Sequence, residues 1–112
     1  MTPEQAVQHQ LDAYNARDLG RFVQVYSDDV KVFRPPALEP SMAGKTQFAD
    51  FYEQNRFNLP NLRADLVNRI VVGNKVVDHE RVWGVREGSF EVAVVYEVVD
   101  GLIRTVWFYP GE

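Results

Sequence analysis

Apolar residues recur at helical spacing in the first half of the chain and alternate with polar residues in the second half. Val7, Leu11 and Tyr14 predict a first helix. It starts after the capping residue Thr2 and runs through Arg17. The other predicted elements are a short second helix capped by Asp18, a strand at 30–34, a third helix at 44–58, and strands at 62–72, 75–85, 90–99 and 102–109. Helices that precede a long meander predict an α+β fold, with the helices on one face of a curved, mainly antiparallel sheet.

Turn residues separate these elements. Gly73-Asn74 and Asp100-Gly101 are signals for two-residue hairpins. Ser27-Asp28-Asp29 is expected to break the second helix. Pro35-Pro36 and Pro40 predict an irregular loop after the first strand. No linker, repeat or low-complexity segment interrupts the pattern, so residues 1–112 are expected to form a single domain.

Composition narrows the possible functions. The formal net charge is −4 and the basic residues form no block, which argues against a nucleic-acid partner. With no cysteine, the chain has neither disulfides nor cysteine zinc sites, and this fits a reducing compartment. The N-terminal residues are polar, and no window approaches the roughly 20 apolar residues of a membrane span. We therefore expect a cytoplasmic protein with no membrane partner.

Strand alternation divides the sheet residues into two sets. The first set is mostly apolar and is expected to line a pocket under the helices; it consists of Ala64, Leu66, Asn68, Ile70, Val76, Asp78, Glu80, Val82, Phe90, Val92, Val94, Tyr96, Val98, Val106 and Phe108. The second set consists of Arg63, Asp65, Arg69, His79, Arg81, Trp83, Glu91, Glu97, Trp107 and Tyr109. The aromatic residues Trp83, Trp107 and Tyr109 favour a homodimer through this second face. In the alternative, long Arg and Glu side chains cover the rings in a monomer.

Several stretches resemble a known superfamily. They are Leu11–Leu19 with its Asn-Ala-Arg-Asp-Leu corner, Val25–Val32, Gly44 followed by Phe51-Tyr52, and Gly101–Phe108. Together they resemble the nuclear-transport-factor-2-like superfamily, which includes ketosteroid isomerases and SnoaL-like polyketide cyclases. Leu66–Asn74 followed by Val77–Glu80 resembles a SnoaL-like subgroup. The resemblance implies a cone-shaped fold of three N-terminal helices on a curved sheet.

The resemblance does not extend to the ketosteroid isomerase site. That enzyme uses a carboxylate base, a tyrosine and a protonated aspartic acid. By position, the base becomes Arg34, which cannot accept a proton at workable pH. The oxyanion tyrosine becomes Gln10, and the acidic donor falls near Tyr96 or Glu97. Only a supporting tyrosine of the third helix is matched, by Tyr52, so the chemistry of that enzyme is not implied here.

The predicted pocket wall contains two carboxylic acids. Asp78 and Glu80 are two residues apart on one strand, where mutual repulsion and an apolar environment raise pKa values and suit acid–base chemistry. Arg34 is expected to pair with one of them or to bind an anionic substrate. The alternative is a purely structural bridge between Arg34 and a carboxylate.

Further candidates are hydrogen-bond donors and apolar contacts. Tyr14, Tyr52 and Tyr96 can converge on the pocket and stabilise an enolate, or they can be ordinary core tyrosines. The remaining candidates for substrate contact are Asn68, Phe51, Val94 and Phe108. His79 is expected on the opposite side of the sheet from Asp78, and His9 on a solvated helix face. No metal site is therefore predicted.

Three functions stay open on these residues. The first is a cofactor-free acid–base enzyme of isomerase, cyclase or lyase type, acting on a small apolar carbonyl compound with Asp78 as base. The second is a non-catalytic binder of a small hydrophobic ligand. The third is a dimeric interaction module whose interior is closed by Phe48, Phe51, Phe90 and Phe108. The volume of the pocket, which depends on how these rings pack inside the cone, would discriminate among the three functions.

Overall fold

The computed structural model describes residues 1–111, in which three helices pack on one side of a six-stranded sheet in an α+β arrangement. The helices are α1 (Pro3–Asn15), α2 (Leu19–Gln24) and α3 (Lys45–Asn55). The strands are β1 (Tyr26–Phe33), β2 (Met42–Ala43), β3 (Arg63–Val72), β4 (Lys75–Trp83), β5 (Ser89–Val99) and β6 (Leu102–Pro110). Of the predicted domain 1–112, Glu112 lies outside the described residues. Within residues 1–111 no helix is both long and apolar enough to cross a membrane.

The sheet has the strand order β2-β1-β6-β5-β4-β3. Every neighbouring pair is antiparallel except β1 and β6, which are parallel. The turns at Gly73-Asn74 and Asp100-Gly101 join consecutive strands as predicted. The second helix ends before Ser27, as predicted, but the first strand begins earlier than predicted, because Ser27–Asp29 already belongs to it. Its register against β6 shifts between Tyr26 and Lys31, which accommodates these polar residues at the surface.

Both long helices end earlier than predicted. In α1, Thr2 and Gln5 form a reciprocal capping box, with N–O distances of 3.0 and 3.2 Å. The same helix stops before Arg17, whose φ of 53° is incompatible with a right-handed helix. In α3 the last turn ends at Asn55. Phe57 follows, and its ring packs edge-on against Phe22 at 5.1 Å between centroids.

A β-bulge in β3 changes which side chains face the helices. Leu66 pairs with Glu80, but the next paired residue is Asn68, opposite His79, so Val67 is an extra residue. An extra residue reverses the alternation for the rest of the strand. Asn68 is therefore exposed on the outer face, contrary to its predicted place on the pocket wall. Arg69 lies on the inner face, although alternation predicted the outer one.

Gly84 fixes the end of β4 at Trp83, two residues before the predicted end. Its φ is +83°, and a Cβ atom built there would lie 2.2 Å from the carbonyl oxygen of Asn61. That distance is far inside van der Waals contact, so only glycine fits without movement. The close approach holds the segment after α3 against the end of β4.

The inner face of the sheet and the helices bury a cluster of aromatic rings at one end of the cone. Phe22 stacks on Phe48 at 5.7 Å, with an angle of 5° between the rings, and contacts Tyr52 at 4.8 Å. Tyr26 packs on Phe48 at 4.4 Å. These contacts anchor α2 and α3 to β1.

The outer face carries an apolar row that crosses five strands, which we call the outer stripe. The strand registers place its members side by side: Ile70, Val77, Val95, Trp107 and Phe33. A neighbouring row is polar and contains Lys75, Glu97, Thr105 and Lys31.

The three aromatic residues named for the dimer differ in their surroundings. The Trp83 indole donates to Asp65 at 2.8 Å, and the Arg63 guanidinium lies 5.6 Å from its ring centroid. Its ring is thus covered within the chain. Trp107 is half-buried in the outer stripe, and Tyr109 is exposed. The homodimer stays a prediction.

Candidate functional site

A cavity of about 100 Å³ lies between the helices and the inner face of the sheet. Helices α1, α2 and α3 and strands β4, β5 and β6 all contribute to its wall. The lining residues are Gln10, Leu11, Tyr14, Phe22, Tyr26, Arg34, Phe51, Tyr52, Arg56, Ala64, Glu80, Val82, Phe90, Val92, Tyr96, Phe108 and Pro110. The wall is thus mainly aromatic and aliphatic, with few polar groups facing inward.

Asp78 is held in a buried ion pair with Arg69. The Arg69 Nε atom donates to Oδ1 at 2.7 Å, and Nη2 donates to Oδ2 at 3.0 Å. A third guanidinium nitrogen, Nη1, donates to Gln8 at 2.9 Å. Asp78 is fully buried and is not among the cavity-lining residues. Both oxygens of this carboxylate already accept hydrogen bonds from Arg69, so Asp78 has a structural role in the ion pair.

Glu80 is the carboxylic acid that faces the cavity. It is 7% exposed, and its Oε2 atom has no hydrogen-bond partner within residues 1–111. Burial and, to a smaller extent, the charge of Asp78 together raise its pKa to about 8, against an opposing effect of Arg69 that is smaller still. At neutral pH the group is therefore mostly protonated, yet it loses its proton within the pH range of ordinary enzymes.

A short chain of hydrogen bonds crosses the cavity wall beside Glu80. The Tyr26 hydroxyl donates to the side-chain oxygen Oε1 of Gln10 at 2.9 Å, and the side-chain nitrogen Nε2 of Gln10 donates to the Tyr96 hydroxyl at 3.3 Å. All three side chains are buried. Because the Tyr96 oxygen accepts from Gln10, its own proton can be donated elsewhere.

The other two tyrosines on the wall differ in burial. Tyr52 is buried and Tyr14 is half-buried. Burial raises the pKa of Tyr52 to about 12, against the opposing positive charges of Arg56 and Arg34. Burial likewise raises the pKa of Tyr14. Both phenols therefore stay protonated and act only as hydrogen-bond donors or acceptors at physiological pH.

Arg34 lies at the mouth of the cavity and forms no ion pair within residues 1–111 with Asp78 or Glu80. Its guanidinium carbon is 4.9 Å from the Phe108 ring centroid, which is a cation–π contact. Arg56, at the end of α3, lies over Phe51 at 5.3 Å and also lines the cavity. The structural bridge expected for Arg34 is thus made by Arg69.

The structure brings most of the predicted site residues together. Those that line the cavity are Glu80, Arg34, Tyr14, Tyr52, Tyr96, Phe51 and Phe108. Those outside it are Asp78, which is paired with Arg69, Asn68, which is exposed, and Val94, which is fully buried in the core. Val94 packs opposite Asp78 and Phe108 in the sheet, so close packing leaves it no access to the cavity.

Sequence reasoning assigns no site role to Tyr26, Arg56 or Arg69. The helical pattern predicts Tyr26 on the apolar face of the second helix, and its position in β1 depends on the parallel pairing with β6. Alternation predicts the wrong face for Arg69 because of the bulge at Val67. Helical spacing from Tyr52 to Arg56 is the one signal available for Arg56.

The family assignment follows from a profile match. The profile of the SnoaL-like domain family matches residues 7–106, which is most of the chain. The chain therefore belongs to the SnoaL-like domain family, as the resemblance in its sequence implied. A comparison with curated proteins gives no match.

Solved structures with the same fold share little sequence with this chain. A cystatin-fold protein from Novosphingobium aromaticivorans aligns with a TM-score of 0.88 at 21% identity, over 97% of this chain and 98% of that one. A Kribbella flavida protein provisionally described as a ketosteroid isomerase aligns with a TM-score of 0.84 at 19% identity, over 98% and 78%. A SnoaL-like protein of unknown function from Burkholderia thailandensis has a TM-score of 0.82 at 18% identity, over 98% and 94%. At these identities the likeness concerns the fold alone.

Proposed function

We propose that the cavity is the active site of a cofactor-free enzyme that transfers a proton on a small carbonyl compound, with Glu80 as the general base. The observation that carries the proposal is the Glu80 carboxyl itself, which is buried on the cavity wall with Oε2 unpartnered within residues 1–111. Burying a polar group without a partner costs stability. Such a group beside a cavity therefore favours a role toward a ligand.

The proposed reaction begins when the Glu80 carboxylate removes a proton from the carbon next to the substrate carbonyl. The C–H bond breaks, its electron pair forms the enolate C=C bond, and the carbonyl oxygen takes the negative charge. In a substrate whose enolate is conjugated with a further C=C bond, return of the proton from Glu80 to the far end of that dienolate completes an isomerisation. Attack of the enolate carbon on a second carbonyl of the same molecule, whose oxygen takes the proton from Glu80, gives a cyclisation. Departure of a β-substituent that takes this proton gives a lyase reaction. A pKa of about 8 suits a base that must both accept and return a proton.

The enolate oxygen needs a hydrogen-bond donor, and Tyr96 is the proposed one. Its hydroxyl oxygen accepts from Gln10, which leaves its own proton available for the cavity. The raised pKa of Tyr96, caused first by burial, keeps that proton on the phenol. A donor held in position before the charge forms is the usual way in which a site stabilises an oxyanion. Tyr14 and Tyr52 border the same space and are proposed as further donors.

The packing of four phenylalanines favours a small-molecule function over a filled interior. Phe48 is buried in the core, at 1% exposure. Phe51, Phe90 and Phe108 are half-buried and line the cavity without closing it. A module that serves only as a scaffold for protein contacts would gain stability by filling this space.

The proposal is tested by hydrogen–deuterium exchange into carbonyl compounds. The protein is incubated in D₂O with a panel of small ketones, keto acids and β-diketones, and loss of the hydrogens next to the carbonyl is followed by proton NMR. We expect the wild-type protein to accelerate exchange for at least one compound. The Glu80→Gln variant should lower that rate by about 100-fold or more, because general-base catalysis typically contributes 10²–10⁴.

The matched control is Glu53→Gln, which removes an exposed carboxylate from α3. It should leave the exchange rate unchanged. Equal exchange by wild-type protein and the Glu80→Gln variant would reject Glu80 as the base. Compounds that raise the melting temperature but exchange no hydrogen in the wild-type protein would identify a non-catalytic binder instead.

A further inference from the structure

Three guanidinium groups lie over aromatic rings of the cavity wall, and we call Arg34, Arg56 and Arg86 the arginine rim; Arg34 and Arg56 also line the cavity themselves. Each lies over the ring of a cavity-lining phenylalanine, at 4.9, 5.3 and 4.3 Å from the ring centroid, respectively. They come from three separate parts of the chain: the end of β1, the end of α3 and the β4–β5 loop. Within residues 1–111, no carboxylate lies within 4.0 Å of any of the three.

Arginines that have no acidic partner within residues 1–111 create a positive potential beside the cavity. Arginines elsewhere on the sheet are paired with acids, as Arg69 is with Asp78 and Arg63 with Asp65. The charges of Arg34 and Arg56 also reach the cavity interior, where both oppose the rise in the pKa of Tyr52. Clefts lined by charge of one sign concentrate ligands of the opposite sign.

The size of the cavity limits how much of a ligand it can enclose. At about 100 Å³ it is smaller than the roughly 150 Å³ cavity that holds benzene. It is also well below the roughly 300–1,000 Å³ of sites for drug-sized molecules. The enclosed part of a ligand is therefore a small apolar fragment, and the rest of the molecule reaches the mouth and its arginines.

We infer that the ligand is a small amphiphilic carboxylate, whose carboxylate is bound by Arg34 and Arg56 at the mouth and whose apolar body points inward. In that orientation the carbon chain lies against Phe51 and Phe108, and the inner end of the molecule reaches Glu80 and Tyr96. Planar guanidinium groups bind carboxylates through two parallel hydrogen bonds. As a statement about the substrate, this inference rests on the proposed function. It adds a carboxylate to the small apolar carbonyl compound expected from the sequence.

The test compares charged and neutral probes of the same shape by isothermal titration calorimetry. The probes are benzoate, cyclopropanecarboxylate and isobutyrate, each beside its amide, together with phenyl phosphate. We expect at least one carboxylate to bind about tenfold or more tightly than its amide. The Arg34→Gln and Arg56→Gln variants should each weaken that carboxylate about tenfold and leave the amide unchanged. The control variant, Arg21→Gln, removes an exposed arginine of α2 that does not line the cavity.

Any of four outcomes would overturn the inference. The first two are that no carboxylate binds up to about 10 mM, or that acid and amide bind equally well. The other two are that Arg21→Gln weakens carboxylate binding as much as the cavity variants do, or that phenyl phosphate binds more tightly than benzoate. The Glu80→Gln variant separates this inference from the proposed function, because it should keep carboxylate binding while losing exchange activity. If the arginine variants bind the carboxylate as tightly as wild type, the proposed ligand class is contradicted. If Glu80→Gln still catalyses exchange, the assignment of Glu80 as general base is contradicted.

Discussion

The guanidinium of Arg69 holds the carboxylate of Asp78 through two hydrogen bonds, of 2.7 and 3.0 Å, in a place where Asp78 is fully buried. This pairing neutralises one of the two inner acids of β4 and leaves Glu80 as the acid that faces the cavity. Two acids that are two residues apart on one strand thus have different surroundings. The difference depends on which of them is paired with Arg69.

Replacing Arg69 by Met should destabilise the protein by about 3–5 kcal/mol, because it leaves a buried carboxylate without its partner. Equilibrium urea unfolding measures this change. The control is Arg63→Met on the same strand, whose ion pair with Asp65 is half exposed. That variant should lose about 1 kcal/mol or less. An equal loss in the two variants would contradict a buried role for Arg69.

The rate of exchange catalysed by Glu80 should depend on pH in a defined direction. A general base acts in its deprotonated form, which becomes populated as the pH rises through its pKa of about 8. The value of kcat/KM should therefore rise from pH 6, reach half of its maximum near pH 8 and level off about one unit above that pKa. It is measured from initial rates of NMR exchange at a series of pH values. A rate that falls over this range would indicate that Glu80 acts as an acid.

Glu80 should also make the native state less stable as the pH rises. Its pKa is 4.5 in an ordinary environment and about 8 in the folded chain, so between these values the native state binds more protons than the unfolded state. The free energy of unfolding then falls with increasing pH. Glu80→Gln removes this dependence, so its advantage over wild type should grow between pH 5 and 8 by on the order of a few kcal/mol.

The comparison uses urea unfolding of both proteins at each pH. Only the difference between the two proteins is interpreted, because every ionisable group other than residue 80 is common to both. A constant difference across this range would mean that Glu80 has the same pKa in the folded and unfolded states.

Gly84→Ala should destabilise the fold by about 2–4 kcal/mol, since a Cβ there combines positive φ with contact at 2.2 Å to the Asn61 backbone. Gly73→Ala is the control, because Gly73 also has positive φ but a Cβ added there would meet no atom within 4 Å. It should cost about 1 kcal/mol. Thermal unfolding of the two variants separates backbone strain from collision, and equal losses would exclude the collision.

We propose that two copies of the chain associate through the outer stripe. An apolar centre beside a polar row is the usual anatomy of a protein interface, and a two-fold pairing would bring each stripe against its copy. Light scattering coupled to size exclusion should give the mass of a dimer. Val95→Glu, at the centre of the stripe, should give a folded monomer. Val72→Glu, on the same face and paired with Lys75 at the end of the polar row, should stay dimeric. A wild-type monomer would refute the proposal.

Alternation along the strands predicted the inner and outer faces of β4, β5 and β6, because these strands pair without a bulge over the cavity. It therefore placed Glu80 and Tyr96 on the inner face and His79 on the outer one. It failed for Asn68, Arg69 and Ile70, since the extra residue at Val67 leaves no mark in the hydrophobic pattern. The choice between Asp78 and Glu80 could not be made from sequence, because it depends on that same bulge.

The position of Arg34 illustrates a second limit. An arginine cannot accept a proton at workable pH, so the sequence alone excluded residue 34 as the general base. Its contact with Phe108 and its place on the same cavity wall as Arg56 depend on how the end of β1 and the end of α3, which are far apart in sequence, are arranged around the cavity. Long flexible side chains at the surface have many rotamers, so sequence indicates their charge but not where it lies.

The bulge at Val67 also bears on how related chains diverge. A single insertion or deletion near this point would exchange inward and outward positions along the rest of β3 while every strand kept its neighbours. One such event would turn the arginine toward solvent and a different side chain toward Asp78. A related chain with such a change would carry a different charge inside the cone without any substitution on β4, and an alignment that ignored the extra residue would pair unlike positions.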